Sequence, residues 1–226
     1  MWLCFQNVLV PWDRIFMLYE AAPLLQRFGG GINFMGWSNL CRIHERMRLM
    51  TAVATMIAES IGVIEYREVG AKLGEMVTYT EMWRHAMDGL EHTSFMTEGG
   101  LMSLGPMSGM NIYFAQTSAR MVQLLREICG SGLIMQPSEN DLANPELRPD
   151  LERYMRGKGV EVEYKSRLYR LAHDLAVSSF GMRQEVYEYW HGGDPNRNRI
   201  NLLNAYDQKD MTGRIKDMIS RPLPHA

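Results

Sequence analysis

Residues 167–197 read RLYRLAHDLAVSSFGMRQEVYEYWHGGDPNR. Apolar side chains recur at helical spacing in the first part of this stretch: Leu168, Leu171, Ala172 and Leu175. A small, polar break, Ser-Ser-Phe-Gly, follows at 178–181. Gly-Gly-Asp-Pro at 192–195 is a typical helix stop. The stretch predicts a long helix, from about 161 to 190, with a break against which another group packs closely.

Three earlier segments have the same helical periodicity. The first lies between glycines at 29–31 and Gly62, and it carries one apolar stripe: Ile43, Met47, Met50, Ala54, Ile57 and Ile61. The second repeats the pattern with Leu73, Met76, Val77, Thr80, Trp83, Met87 and Leu90. The third is cut at 130–132, and one of its faces carries Ala115, Ser118, Val122, Leu125 and Ile128. Four such helices without strands between them predict an all-α fold, an antiparallel four-helix bundle.

The connections between these helices are predicted with less regular structure. Residues 99–111 are rich in glycine and proline, so we expect a loop there. A short helix is expected over 145–156, with Pro145 in its first turn and Asn144 as its cap. Before all the helices, FQNVLV at 5–10 predicts a short strand that Pro11 ends. A lone strand of this length needs partner strands to be stable.

The composition excludes several classes of protein. The chain has 226 residues and a net charge of −2, so there is no electrostatic reason to expect nucleic acid as a partner. Charges interrupt every apolar segment before it reaches the length of a membrane span. Three cysteines without CxxC spacing favour a reducing cytoplasm over a disulfide framework. The 19 methionines are expected to fill gaps between packed helices.

Two segments could bind an anionic ligand. Gly130-Ser131-Gly132 directly follows a helix, where glycines let a phosphate or another backbone approach closely. The alternative is an ordinary helix C-cap and turn. The segment 178–183 combines hydroxyls, exposed backbone N–H groups and Arg183, which are the donors that a pyrophosphate needs. Its alternative is a helix kink whose serines hydrogen-bond to the preceding turn.

No metal site or catalytic constellation is expected. Cys41 and His44 lie one helical turn apart, but no further ligand is spaced nearby, so structural or surface roles are favoured. The other histidines are scattered and form no nucleophile–base pattern. Catalytic residues are therefore not assigned.

Three stretches together resemble one family: CGSGLIMQPSENDL at 129–142, VLVPWDRIF at 8–16, and the stretch at 167–197. They are similar to the two-component flavin-dependent aromatic hydroxylases of the 4-hydroxyphenylacetate 3-monooxygenase type, which share the acyl-CoA dehydrogenase fold. The resemblance covers roughly residues 6–218 and corresponds to the C-terminal part of that family. It implies FAD, used as FADH2 from a separate flavin reductase, and hydroxylation of a phenol next to its existing hydroxyl.

The resemblance also implies which residues contact the flavin. The superfamily has a Gly-Gly-x-Gly element that touches the FAD of a neighbouring subunit, and here Cys129 replaces its first glycine, followed by Gly130, Ser131 and Gly132. The family binds FAD at the stretch that corresponds to the helix break. This carries over Ser179, Phe180, Gly181, Met182 and Arg183.

The resemblance divides the chain into two parts. Residues 1–17 are expected to be the remnant of a preceding β-domain, and residues 18–226 the helical C-terminal domain. Most of the family's flavin and phenol contacts lie N-terminal to this part, so a missing N-terminal half or a partner chain is expected. A homo-oligomer is also expected, namely a tetramer arranged as a dimer of dimers. The alternatives are a non-catalytic helical oligomerisation module and an acyl-CoA-type dehydratase or dehydrogenase relative. The cysteine and histidine pattern opposes the dehydratase.

Overall fold

The computed structural model describes residues 2–19, 21–105 and 107–221. The helices are α1 (Ala21–Ser60), α2 (Arg67–His92), α3 (Ser108–Cys129), α4 (Glu139–Ala143), α5 (Arg148–Tyr154), α6 (Val162–Ala176), α7 (Ser179–Trp190), α8 (Pro195–Ala205) and α9 (Lys209–Ile219). Single 3-10 turns lie at Trp12–Arg14 and Gly130–Leu133. The strands of the described residues are β1 (Phe95–Met96) and β2 (Met102–Ser103), which pair antiparallel. The all-α prediction is confirmed.

Contacts between the long helices show that neighbours run in opposite directions. In each pair, a later residue of one helix contacts an earlier residue of the other. For α1 and α2 the contacts are Leu40 with Trp83, at 3.1 Å, and Thr51 with Thr80, at 3.4 Å. For α2 and α3 they are Glu75 with Arg120, at 2.7 Å, and Trp83 with Phe114, and for α3 and α7 they are Ser118 with Glu185, at 3.1 Å, and Arg126 with Met182, at 2.8 Å. The predicted antiparallel four-helix bundle is therefore confirmed, with α6 and α7 together forming its fourth rod.

The core of the bundle is built from the predicted stripes. Trp83 and Phe114 pack at its centre, with ring centroids 5.5 Å apart. The first stripe is buried from Ile43 to Ile57, whereas Ile61, just past the end of α1, is half-buried and Val77 of the second stripe is exposed. Several methionines belong to the core: Met47, Met50, Met76, Met107 and Met121. Flexible thioether side chains fill irregular spaces between helices, as the sequence analysis expects. Within the described ranges, no helix has both the length and the apolarity that crossing a bilayer requires.

Several predicted boundaries are wrong. The glycines at 29–31 do not interrupt the helix, because α1 (Ala21–Ser60) runs through them. Helix propagation is cooperative and tolerates poor helix formers. The short helix does not begin at Pro145 behind Asn144. It begins at Arg148 with Pro149 in its first turn, while the Asn144 side chain accepts the Glu146 N–H in a local turn at 2.9 Å. The loop at 99–111 contributes a short strand and the first residues of α3.

The predicted N-terminal strand at 5–10 is not formed. Residues 2–10 are exposed and have no strand assignment. A strand gains its hydrogen bonds from a neighbour, and the strands of the described residues, β1 and β2, pair with each other and not with this segment. The division of the chain at residue 17 stays a prediction.

An ion pair between α2 and α3 makes the fold sensitive to acid. Arg120 donates to both carboxylate oxygens of Glu75, at 2.7 and 2.8 Å, and the Tyr79 hydroxyl donates to the same group at 2.7 Å. Arg120 first, and Tyr79 second, lower the pKa of Glu75 from 4.5 to about 2. A carboxyl group with a lowered folded-state pKa stabilises the fold above its unfolded pKa.

We expect this contribution to be present at pH 7 and to be lost as the pH falls from 4.5 towards 2. The Glu75 side chain is 31% exposed, so solvent limits the effect to at most about 1 kcal/mol. Urea unfolding of the wild type and of Glu75→Gln between pH 7 and pH 2 measures it. The stability difference should shrink with acidification, and a difference independent of pH would contradict this account.

Candidate functional site

The predicted break in the fourth rod lies between Ala176 and Ser179. Ser178 organises it, because its hydroxyl accepts the Gly181 N–H at 3.1 Å and donates to the carbonyl of Asp174 at 3.0 Å. The first bond makes Ser178 the N-cap of α7, and the second is the hydrogen bond to the preceding turn that the kink interpretation expects. Ser178 is thus a structural residue of the break.

Gly181 shows which group packs against the break. A Cβ atom at this position would lie 2.4 Å from the carbonyl oxygen of Asp174 and 2.9 Å from the carbonyl group of Leu175. The group that approaches closely is therefore the backbone of the chain's own α6. Only glycine allows the first turn of α7 to rest on the end of α6.

The remaining carried-over residues of this segment face outwards. Ser179, Phe180, Met182 and Arg183 are all exposed, and the Phe180 side chain is 60% exposed. Ser178 accepts the N–H of Gly181 with its hydroxyl and that of Met182 with its carbonyl, at 3.1 and 2.9 Å. The N–H groups of Ser179 and Phe180 have no hydrogen-bond acceptor within the described part of the chain, nor has the Arg183 guanidinium. The N-terminus of α7 therefore presents free donors at the positive end of a helix dipole.

The second carried-over segment forms a 3-10 turn at the end of α3. Gly130 is exposed, has a φ of +56°, and donates its N–H to the carbonyl of Arg126. A Cβ atom at Gly132 would lie 2.4 Å from the ring of Tyr169, so packing explains this glycine. Ser131 is exposed, and its carbonyl accepts the Ile134 N–H at 3.1 Å. The turn is a helix cap, as the alternative interpretation expects, and it also leaves Gly130 and Ser131 open to a ligand.

Arg126 brings the two segments together. Its backbone carbonyl holds Gly130, and its guanidinium donates to the carbonyl of Ala176 through Nε, at 2.8 Å, and through Nη2. The same Nη2 lies 2.8 Å from the sulfur of Met182. Arg126 was not predicted as a site residue, although a basic residue in the last turn of a helix is a common partner for free carbonyls.

A buried carboxylate, Glu188, fastens the other half of α7. Its side chain is 0% exposed and receives both terminal nitrogens of Arg42, one at 3.0 Å. Gln184 donates to it at 2.6 Å, and Arg46 of α1 lies 4.0 Å away. Arg46 also bonds the hydroxyl of Ser118 in α3, at 2.9 Å. This network fixes α7 against α1 and α3, and no sequence motif predicts it.

Cys129, which directly precedes the 3-10 turn, is not in an environment that favours a reactive thiolate. Burial raises the pKa of the Cys129 thiol to about 12, so this thiol stays protonated at neutral pH. Cys41 is half-buried and free. Among the described residues, no three histidine, cysteine, aspartate or glutamate side chains gather as a metal site would need.

The bundle and its broken fourth rod define an all-α, helical-bundle domain. The chain belongs to the family "4-hydroxyphenylacetate 3-hydroxylase C terminal", which it matches over residues 21–220.

Similar proteins are longer than this chain. The oxygenase component of 4-hydroxyphenylacetate 3-monooxygenase from Thermus thermophilus is 32% identical over 223 residues, which are 97% of this chain and 46% of the relative. A probable 4-hydroxyphenylacetate 3-monooxygenase from Bacillus subtilis is 28% identical over 226 residues, which are 98% of this chain and 46% of the relative. The chain thus spans about half the length of these relatives.

Solved structures agree with the fold. A crystal structure of the oxygenase component of 4-hydroxyphenylacetate 3-monooxygenase complexed with FAD superposes with a TM-score of 0.89 at 31% identity, covering 96% of this chain and 46% of that one. An archaeal 4-hydroxybutyryl-CoA dehydratase from N. maritimus superposes with a TM-score of 0.80 at 22% identity over 96% of this chain, and shows the fold alone.

Proposed function

We propose that the chain is the C-terminal helical portion of a reduced-flavin-dependent monooxygenase that hydroxylates a phenol ortho to its hydroxyl. It contributes FAD contacts and a subunit interface, and an N-terminal half supplies the rest of the active site. The observation that carries the proposal is the pair of exposed N–H groups at Ser179 and Phe180, which have no acceptor among the described residues. Solved relatives complexed with FAD support the choice of ligand.

The donor set fits the pyrophosphate of FAD. Two free N–H groups at a helix N-terminus favour an anion, and the exposed Arg183 adds a planar fork that can donate to two phosphate oxygens. Gly130 has no atom within 4 Å of the place that a Cβ would occupy, so its backbone is open to close approach. When bound, reduced FAD supplies the chemistry that activates oxygen for the hydroxylation. The residues of this chain bind and orient it.

The proposal includes partners. The relatives named oxygenase components support a flavin reductase as the source of FADH2. Exposed apolar side chains on α7, α8 and α9 support a homo-oligomer, for which we propose a tetramer: Phe180, Val186, Trp190, Ile200, Leu203, Ile215 and Met218. A cytoplasmic location is supported by the three free cysteines.

A carboxylate placed at the site separates flavin binding from folding. The test uses this chain joined to the N-terminal half of the Thermus thermophilus relative, here called the paired protein. Ser179→Glu puts a negative charge in the first turn of α7, where the helix dipole favours it, so thermal stability should be unchanged or slightly higher. The same charge repels a pyrophosphate, so a flavin titration should show FAD binding weakened at least tenfold.

Asn196→Glu is the matched control, because it adds a carboxylate to the first turn of another helix, α8. In the wild type Arg199 donates to the side chain of Asn196 at 2.7 Å, and the glutamate can accept the same bond. This control should bind FAD as the wild type does. A folded paired protein that binds no FAD, or a Ser179→Glu variant with wild-type affinity, would overturn the proposed function.

A further inference from the structure

The end of α6 has carbonyl groups that its own helix cannot satisfy. Ser178 satisfies one of them, since its hydroxyl donates to Asp174 at 3.0 Å. Its N–H donates to the carbonyl of His173 at 2.9 Å, which also accepts the N–H of Val177 at 2.8 Å. The carbonyl of Ala176 is instead bonded from α3, by Nε of Arg126 at 2.8 Å and by Nη2. One side chain of α3 thus completes the end of α6.

The same guanidinium also reaches α7. Its Nη2 lies 2.8 Å from the sulfur of Met182, in the first turn of α7. A planar guanidinium can direct two nitrogens at one carbonyl and still contact a second group, which a single ammonium on a flexible stem cannot reproduce. Arg126 therefore connects the last residue of α6 to the first turn of α7.

We propose that Arg126 is a positioning residue for the flavin site. It fixes the angle between α6 and α7, and so sets the direction in which the free N–H groups of Ser179 and Phe180 point. It acts through the backbone of the break, because its guanidinium is already engaged by Ala176 and Met182. This inference rests on the proposed function.

Hydrogen exchange in the chain itself tests the positioning. Arg126→Met keeps much of the aliphatic bulk and removes the donors. The amides of Ser178 and Gly181, both hydrogen-bonded at the break, should exchange at least tenfold faster, while amides in the middle of α2 keep their rates. Arg170→Met is the matched control, since Arg170 also donates to a backbone carbonyl, that of Pro137 at 2.7 Å, and should leave the break unchanged.

Flavin titration of the paired protein gives the functional readout. Arg126→Met should weaken FAD binding about tenfold, which corresponds to about 1.4 kcal/mol. Arg126→Lys should recover part of the loss.

The outcomes separate this inference from the proposed function. If Ser179→Glu weakens FAD binding and Arg126→Met does not, the role of Arg126 is refuted and the flavin site stands. If Ser179→Glu has no effect, the flavin site itself fails. An equal rise in exchange throughout the bundle in Arg126→Met would show general destabilisation and would also refute the positioning role.

Discussion

Replacement of Glu188 by leucine is expected to lower the free energy of unfolding by about 2–3 kcal/mol. Leucine has a similar volume, so the loss comes from charge. Removing the carboxylate leaves Arg42 without its anionic partner and the amide of Gln184 without its acceptor at 2.6 Å. Arg46 loses the nearby charge of Glu188 and keeps Glu185, at 3.5 Å, and the hydroxyl of Ser118. Unpaired charge is costly where water cannot reach it, and because the Arg42 side chain is 37% exposed, water offsets part of this cost.

Chemical denaturation with a matched control measures this effect. Glu45 also pairs with an arginine, Arg48 at 2.7 Å, but its side chain is 64% exposed. Glu45→Leu should therefore cost less than about 1 kcal/mol. Adding Arg42→Met to Glu188→Leu should recover part of the stability, because the unpaired guanidinium is then gone. Equal losses for Glu188→Leu and Glu45→Leu would show that the buried network contributes nothing special.

Gly181→Ala is expected to destabilise the chain by about 3 kcal/mol, the upper part of the range for overpacking. The added methyl group would meet the backbone of Asp174 and Leu175, and neither can move without opening the break. Thermal or urea unfolding, followed by circular dichroism, measures the loss.

Gly74→Ala is the control for this substitution. Gly74 lies inside α2, and a Cβ atom there would have nothing within 4 Å. Alanine is the better helix former by about 1 kcal/mol, so this variant should be slightly more stable than the wild type. If both variants were stabilised, the packing described for the break would be wrong.

Periodicity predicted the bundle because the core depends on it. The stripes of α1, α2 and α3 are the surfaces that the helices bury against one another, so the spacing of apolar residues in the sequence predicts which faces are buried. The break was also predictable, since serine as an N-cap and a glycine three residues later are local signals. Asn144 was misassigned because a local turn and a helix cap use the same side-chain oxygen.

The contacts that hold the site could not be predicted from local pattern. Arg126 and Ala176 are 50 residues apart, and Arg42 and Glu188 are 146 residues apart. Each of these residues has an ordinary sequence context, and its role appears only when the rods are packed together. The strand predicted at 5–10 failed for the same reason, because its formation depends on partner strands rather than on its own residues.

The most direct test of the flavin site is the hydrogen exchange of Ser179 and Phe180 in the paired protein, measured with and without FAD. In the free protein these amides have no acceptor within the described residues, so they should exchange rapidly. FAD should slow both at least tenfold, while the exchange of α9, which buries none of its residues, stays constant. Protection elsewhere in the paired protein, with Ser179 and Phe180 unchanged, would contradict the placement of the flavin pyrophosphate at the N-terminus of α7.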